Sequence, residues 1–341
     1  MPTNVTAEYK KAEQAFRDAR EPTDRLQCLK EMLRTIPKHK GTEHLQRDIK
    51  TRIKQLTDEL AAPRKSGART GPSYSVRPEG AAQIALLGPP NSGKSQLHHV
   101  MTGARSEVGP YPFTTQLPLP GMMPYEDIYI QLIDLPPISE DFFEPWIVNS
   151  LQPADAALLI IDITNPECID HIQHVITQLN SKKICLNDRF EDAQDDVPQQ
   201  DDDFDDPFRI ELPTILVANK IDLADSSEEL DALNELVSHG FPSIAISALT
   251  GRNLDALSRM LFEKMKIVRV YTKVPGKPAD TERPFTLISG GTVADVARQV
   301  HKEFAQSFRF AKVWGAHVFD GQQVGPDHIL HDLDIVELHV K

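Results

Sequence analysis

One segment narrows the possible folds more than any other. Residues 81–88, AAQIALLG, form a short apolar run that breaks directly into Gly88-Pro89-Pro90-Asn91-Ser92-Gly93-Lys94-Ser95. An apolar run of this length that stops at glycine reads as a buried parallel strand. The residues after Ser95 suit a helix. The spacing fits G-x-x-x-x-G-K-[ST], which has mechanical meaning only between a strand and a helix. There the glycines let successive backbone N–H groups point inward at phosphate oxygens, and the helix N-terminus adds partial positive charge. Lys94 is placed to reach the terminal phosphates, and the Ser95 hydroxyl to sit on Mg²⁺. The competing reading is a tight structural turn that binds nothing.

The surrounding chain has the matching texture. IYIQLIDLP, AALLIIDIT, PTILVANKI and SIAISAL follow, several of them separated by helix-compatible segments. Short buried strands with helical connections predict an α/β fold with a doubly wound, mostly parallel sheet. One block interrupts it. Residues 188–206 hold ten acids and one base, Arg189. Such a block cannot bury enough apolar surface to order itself, so it reads as a solvated insertion between the strands at 156–163 and 213–218. A passive loop and a regulatory or mimicry role both remain open for it.

Residues 1–62 read as a helical region. Leu45, Ile49, Ile53, Leu56 and Leu60 make one apolar stripe, with Arg47, Lys50, Arg52 and Lys54 largely off it. An earlier helix covers Leu26, Leu29, Met32 and Leu33 and ends before Pro37. Residues 63–80 form a basic linker that includes Arg64, Lys65, Arg69 and Arg77. The expected division is therefore 1–62, 63–80, 81–266 with the insertion, and 267–341. In the last part VRVYTK, PFTLI, FAKVW and DIVELHV are strand-like. Thr292 starts a helix as its N-cap, with Asp295 three residues on, and Val293, Val296, Val300 and Phe304 give that helix an apolar face. A small mixed sheet crossed by one helix is expected.

Charge is split along the chain. Residues 1–78 carry 17 Lys/Arg against 10 Asp/Glu, whereas the rest carries 20 against 40. A polyanion would be met through the basic head, by phosphate-backbone contact, although a solvated helix face explains the same residues. The longest wholly apolar run, Ala156–Ile161, is too short for a membrane span, and the N-terminus lacks a signal-peptide core. Cys28, Cys168 and Cys185 form no paired motif, so neither a disulfide scaffold nor a cysteine zinc site is expected. A cytoplasmic protein without a membrane partner follows. The twelve histidines suggest no metal site, and His98 and His99 read as packing or helix surface. Trp146 and Trp314 read as core anchors in preference to stacking platforms.

Other chemistry-bearing residues follow in a workable order. Asp134 ends IYIQLID, where a carboxylate would meet a magnesium shell or merely cap a turn. Asn219-Lys220-Ile221-Asp222 ends the strand TILVA. The Asp222 carboxylate there can accept both edge N–H donors of guanine, which adenine does not offer. Each charged hydrogen bond lost to the wrong base costs roughly 1.5–3 kcal/mol. Ser247-Ala248-Leu249 follows SIAI, and its backbone could contact the guanine carbonyl. An ATPase would require the NKID sequence to be coincidental.

This set resembles that of GTPases of the translation-factor-related class. Tyr111-Pro112-Phe113-Thr114-Thr115 resembles the first switch of Obg-like GTPases. KHKGTEHLQRDIKTRIKQL, and the C-terminal VRVYTKVPGKPADTERPFTL with TVADVARQVHKEF and AKVWG, are similar to the developmentally regulated GTP-binding protein family. The resemblance covers nearly the whole chain except the acidic insertion. It implies a P-loop GTPase domain with a C-terminal β-grasp unit, the TGS domain, and it implies bound GTP or GDP. It assigns Thr115, with Thr114 the adjacent alternative, to closing over Mg²⁺ and the γ-phosphate. It implies slow hydrolysis resting on Lys94, the loop amides and Mg²⁺, and association with the ribosome or RNA through the basic head and TGS domain. A protein partner is also compatible with it.

Three positions bear on that expectation. Asp134-Leu135-Pro136-Pro137 stands where the family motif D-x-x-G puts a glycine, and proline has no N–H to give a γ-phosphate. A blunted second switch follows, and with it the alternative of a nucleotide-dependent scaffold that hydrolyses little or nothing. Ile138 stands where small signalling GTPases carry a water-orienting glutamine and cannot orient water; this departs from those enzymes but not from Obg-like families, and Glu140 and Asp141 are weak substitutes. Asn91 sits where some slow GTPases hold a potassium ion that bridges the phosphates, or it merely tolerates the loop's backbone angles.

Overall fold

A computed structural model describes residues 6–19, 22–37, 42–61, 76–104, 117–139, 143–144, 146–190, 208–223, 240–301 and 307–340. The chain divides into two compact units, residues 1–73 with 192–209, and residues 74–191 with 210–341.

The first unit is helical. Helix α1 (Ala7–Asp18) begins where the Thr6 hydroxyl accepts from the Tyr9 amide at 3.2 Å, a side-chain cap for an otherwise unpaired donor. Helix α2 (Pro22–Thr35) opens on proline, whose missing N–H costs nothing in a first turn. Helix α3 (Glu43–Ala61) carries the apolar stripe. Ile49 is fully buried, and Leu45, Ile53 and Leu56 pack on the same core as Tyr9, Phe16, Leu29 and Met32; the Leu60 side chain lies outside the described residues. Sequence reading missed a member of this core. Phe208, which follows the acidic block, is 4% exposed and sits edge-on to Phe16 at 6.0 Å. The Arg52 guanidinium lies 4.1 Å from the centre of the Phe208 ring. Arg52 is thus half-buried on an aromatic face, while Arg47, Lys50 and Lys54 are exposed.

The second unit holds two sheets. The first runs in the order β2 (Leu119–Tyr125), β3 (Ile128–Asp134), β1 (Gln83–Leu87), β4 (Ala156–Asp162), β6 (Ile210–Asn219) and β5 (Ile184–Asn187). A short β7 (Ser243–Ala245) also pairs with β6. Every pairing is parallel except that of β2 with β3. Alternate residues feed two helical layers, as strands buried on both faces must. Ala85, Leu87, Leu159 and Ile161 pack with α6 (Cys168–Ser181), and α5 (Ile147–Leu151) joins the same core. Ile84, Leu86, Leu158 and Ile160 pack with α4 (Lys94–Thr102) and α7 (Leu254–Lys264). Sequence reading gave no strand at β2 or β5. β2 contains Pro120 and Pro124, tolerated because it is an edge strand. Because α6 and β5 intervene after β4, the acidic insertion follows Asn187 directly; residues 191–206 of it lie outside the described residues. Cys28, Cys168 and Cys185 form no disulfide among the described residues.

The second sheet runs β11 (Gln322–Val324), β10 (Phe308–Trp314), β12 (Asp334–Val340), β8 (Ile267–Lys273) and β9 (Ala279–Ile288). Only β8 and β12 pair in parallel. Helix α8 (Val293–Val300) covers one face, burying Val293, Val296 and Ala297 against Val268, Val270, Val313 and Val336. The Thr292 amide donates to Asp295 Oδ2 at 2.8 Å, closing the expected capping box; Phe304 lies outside the described residues. One expectation is overturned. Trp146 packs against the main core, but Trp314 does not enter the core under α8. It is half-exposed with the Lys273 ammonium 4.3 Å from its ring centre. Strand alternation places it on the face opposite Val313.

The two sheets are tied together at Arg269. Its guanidinium meets Asp332 at 2.7 Å, Asp127 at 3.0 Å and Glu126 in the β2–β3 turn. The Tyr271 hydroxyl donates to the other Asp127 oxygen at 2.5 Å.

Candidate functional site

The glycine-rich turn needs its glycines for space as well as for backbone angle. Gly88 has φ +147°, and a Cβ there would lie 2.2 Å from the Ile160 carbonyl oxygen. Gly93 has φ +92°, and a Cβ there would lie 2.2 Å from Asn219 Nδ2. That close approach has a purpose: Asn219 Nδ2 donates to the Ser92 carbonyl at 2.9 Å, and the Ala248 amide donates to Asn219 Oδ1 at 3.0 Å. One buried side chain at the end of β6 therefore braces both the turn and the 247–249 segment. Ser92 is fully buried, its hydroxyl donating to the Pro89 carbonyl. Asn91 is exposed with φ +60°, and Pro90 is half-buried.

Lys94 begins α4 and is 6% exposed. Its ammonium donates to the carbonyls of Gly88 at 3.0 Å and Pro89 at 2.9 Å. Burial lowers its pKa to about 8, and the Asp134 charge partly offsets this. Ser95 Oγ donates to Asp134 Oδ2 at 2.5 Å. Asp134 is fully buried, and its Oδ1 has no hydrogen-bond partner among the described residues. Burial pushes its carboxyl upward against the pull of Ser95 and Lys94. A buried ammonium facing neutral carbonyls and a buried carboxylate oxygen without a donor are both incomplete. An anion at Lys94 and a cation at Ser95 and Asp134 would complete them, so the donor set fits a magnesium–phosphate ligand.

The opposite end of the site is built from β6 and β7. Ser247 Oγ donates to Asp222 Oδ1 at 2.5 Å, and the Thr250 amide donates to Ser247 Oγ at 3.1 Å. Lys220 has φ +72°, and its ammonium pairs with Asp162 at 2.6 Å. Burial alone would raise the Asp162 carboxyl, but bonds from Lys220 and Thr164 outweigh it and hold it below its ordinary range. Asp162 ends β4 and was not singled out in the sequence; its only local signal is an acid at the end of an apolar strand. Ala248 is buried and Leu249 is 75% exposed.

Residues 88–95, 134, 219–222 and 247–249 therefore gather at the carboxyl ends of neighbouring parallel strands, where open α/β sheets bind ligands. Thr114 and Thr115, with the rest of the 111–115 segment, lie outside the described residues, as do Glu140 and Asp141. Leu135 and Ile138 are core residues. Pro136 and Pro137 have no N–H, and the Ile138 amide is committed to the Gly88 carbonyl at 3.1 Å. His98 is fully buried packing under this layer, where burial lowers its pKa.

Residues 83–189 match the family model described as 50S ribosome-binding GTPase, and residues 268–340 match the TGS domain. The chain is 30% identical to a GTP-binding protein of Methanocaldococcus jannaschii, covering 93% of each. It is 30% identical to developmentally-regulated GTP-binding protein 1 of Xenopus laevis, over 90% of this chain and 96% of the relative. The chain belongs to the developmentally regulated GTP-binding protein family. Among solved structures, a GTP-binding protein from Pyrococcus horikoshii OT3 shares the fold, with a TM-score of 0.51, 18% identity, 76% of this chain and all of that one covered. As in its family, this chain is a guanine-nucleotide-binding protein with a P-loop domain and a C-terminal TGS domain. No helix among the described residues is long and apolar enough to cross a membrane.

Proposed function

We propose that this member of the family is a slow, Mg²⁺-dependent GTPase of the cytoplasm that associates with the ribosome or with RNA. The reading rests above all on Lys94, a buried cation whose hydrogen bonds among the described residues go to the loop's own carbonyls. In this reading the amides of residues 88–95 and the Lys94 ammonium clamp the phosphates, which lowers the barrier by electrostatic stabilisation. Ser95, Asp134 and Thr115 hold Mg²⁺, which neutralises phosphate charge when bound. Asp222 reads guanine, Ser247 fixes the Asp222 carboxylate, Lys220 flanks the base, and Ser247-Ala248-Leu249 supplies backbone to the guanine carbonyl. Asn219 positions the loop. Asn91 is free to help hold a potassium ion, which gives faster hydrolysis in potassium than in sodium; equal rates in the two salts reject that role. The functional divisions are those read from the sequence, 1–62, 63–80, 81–266 and 267–341.

Calorimetry with GTP, GDP and ATP tests the core of it: guanine nucleotides bind and ATP does not. Asp222→Asn shifts preference toward xanthosine nucleotides, and retained guanine selectivity would defeat the base assignment.

RNA association is carried by exposed Arg47, Lys50 and Lys54 on α3 and by the description of the matched family model. Charge reversal at these three positions should abolish ribosome co-sedimentation and flatten its salt dependence; unchanged co-sedimentation removes the idea. A protein partner remains compatible with the same surface.

The alternative, a nucleotide-dependent scaffold with little hydrolysis, gains from one observation. Pro136 and Pro137 lack amides and the Ile138 amide is spent on Gly88, so this stretch offers the γ-phosphate no donor. Losing one charge-assisted bond is worth roughly 1.5–3 kcal/mol, or about 10- to 150-fold in GTP over GDP. Near-equal affinities together with no single-turnover hydrolysis establish the scaffold; measurable hydrolysis establishes the GTPase.

A further inference from the structure

The face of the TGS sheet opposite α8 is built unlike a solvated sheet surface. Ala311, Val313 and Val336 point to α8, so Phe310, Lys312, Trp314, Glu337 and His339 point the other way. Register sets Phe310 beside His339 and Lys312 beside Glu337. The Phe310 and His339 rings stack at 4.3 Å and 14°. Trp314 lies on the same strand as Phe310, four residues on, or about 13 Å away.

The charges on this face are sorted by sign. Of the acids on β8, β10 and β12, Asp334 is 1% and Glu337 5% exposed. Glu337 is also engaged by His339 at 2.7 Å and by Lys273 at 3.9 Å. Among the cations, Arg269 is taken up at the junction. Lys273 and Lys312 stay half-exposed and Arg309 exposed. What the three strands show to solvent is the Phe310–His339 stack and, apart from it, the Trp314 ring, with Lys312 between them, Lys273 beside Trp314, and Arg309 5.8 Å from the Phe310 ring centre at a strand bulge; Tyr271, on the same face, is held by Asp127 at the junction.

We propose that this face is a binding surface for single-stranded RNA, taking bases on Phe310 and Trp314 and backbone phosphates on Lys312, Lys273 and Arg309. It rests on the RNA association proposed above and adds the site and the strandedness. Every base has a π-face, so aromatic platforms accept single strands with little sequence preference. Paired bases are hidden inside an A-form helix and cannot reach a flat sheet. The Lys273 ammonium over the Trp314 ring gives way to a base and turns to the phosphate beside it. Because the two acids on these strands are sunk, and Glu126, Asp127 and Asp332 are engaged by Arg269 at the junction, the patch around Phe310 and Trp314 attracts a polyanion although the domain around it is not strongly basic.

The test is fluorescence anisotropy of the full chain with a labelled single-stranded 12-mer and with a duplex of equal length. Phe310→Leu and Trp314→Leu keep apolar volume and remove the rings. Each weakens single-strand binding roughly 5- to 150-fold and leaves duplex binding and GDP affinity as in the unaltered chain, GDP affinity serving as the check on folding. In a Trp146→Phe background, the single strand quenches Trp314 emission. Single-strand binding that both leucine variants retain overturns this site while RNA association stands on the basic helix. Equal losses on single strand and duplex overturn the stacking assignment. If the unaltered chain binds neither RNA, the parent reading fails as well.

Discussion

Lys94 and Arg269 are both cations drawn out of water, and the fold surrounds them in opposite ways. Lys94 faces two neutral carbonyls, and burial brings its pKa down to about 8. Arg269 faces three carboxylates, and its bonds to Asp332, Asp127 and Glu126 push its pKa up despite burial. The first site holds charge that its own chain does not balance, and the second is electrically complete. That difference separates a place that receives a ligand from a place that joins two sheets.

Replacing each cation by methionine breaks the comparison most sharply. Lys94→Met removes charge-assisted bonds to two phosphates, each worth roughly 1.5–3 kcal/mol, so nucleotide affinity falls at least about 100-fold. Yet the nucleotide-free protein should gain about 1–2 kcal/mol, because an under-paired buried charge gives way to an apolar chain of similar length. Calorimetry and thermal melts without nucleotide read the two effects; a melting temperature that falls would show that Lys94 is already balanced. Arg269→Met behaves oppositely. It leaves three carboxylates facing one another and costs about 2 kcal/mol, less than a fully buried pair because Glu126 and Asp332 are partly exposed. Nucleotide affinity stays as it was. A melting temperature equal to that of the unaltered chain would mean the junction contributes nothing.

The same contrast explains what could be read in advance. The nucleotide end is written locally: a strand, six residues of turn and a helix start at 83–102, and four residues at 219–222, each carry their own geometry. Arg269 finds partners at 126, 127 and 332, more than a hundred residues away on one side and sixty on the other, and no spacing rule connects them. Phe208 was hidden for a related reason, since it stands at the edge of an acid-rich block and reaches a core assembled from residues 9–49. Trp314 was misjudged because large aromatics are usually core. Here a two-residue alternation, legible only once Val313 is known to face α8, turns it outward. Strand β2 escaped notice because Pro120 and Pro124 argue against a strand wherever the edge position is unknown.

The smallest effect sharpens the comparison from the junction side. The hydrogen bond from Tyr271 to Asp127, with burial adding to it, pushes the Tyr271 pKa up to about 12. A phenol whose folded value exceeds its unfolded value of about 10 binds more protons in the native state between those two pH values. Its contribution is therefore whole below about pH 10 and fades as pH rises toward 12. For Asp127 burial pushes the carboxyl up, but Tyr271 and Arg269 hold it below its ordinary range. Its contribution is whole above about pH 4 and fades as pH falls through the folded value. Tyr271→Phe should flatten the alkaline shoulder of stability against pH and weaken the acid one. Because the ring is only half-buried, the change amounts to a degree or two of melting temperature, on the order of a few tenths of a kcal/mol. Lys94→Met leaves the acid shoulder in place, because Asp127 titrates at the junction and not at the loop. An alkaline shoulder that survives Tyr271→Phe unchanged would place its origin in another group and loosen the hydroxyl from the clamp.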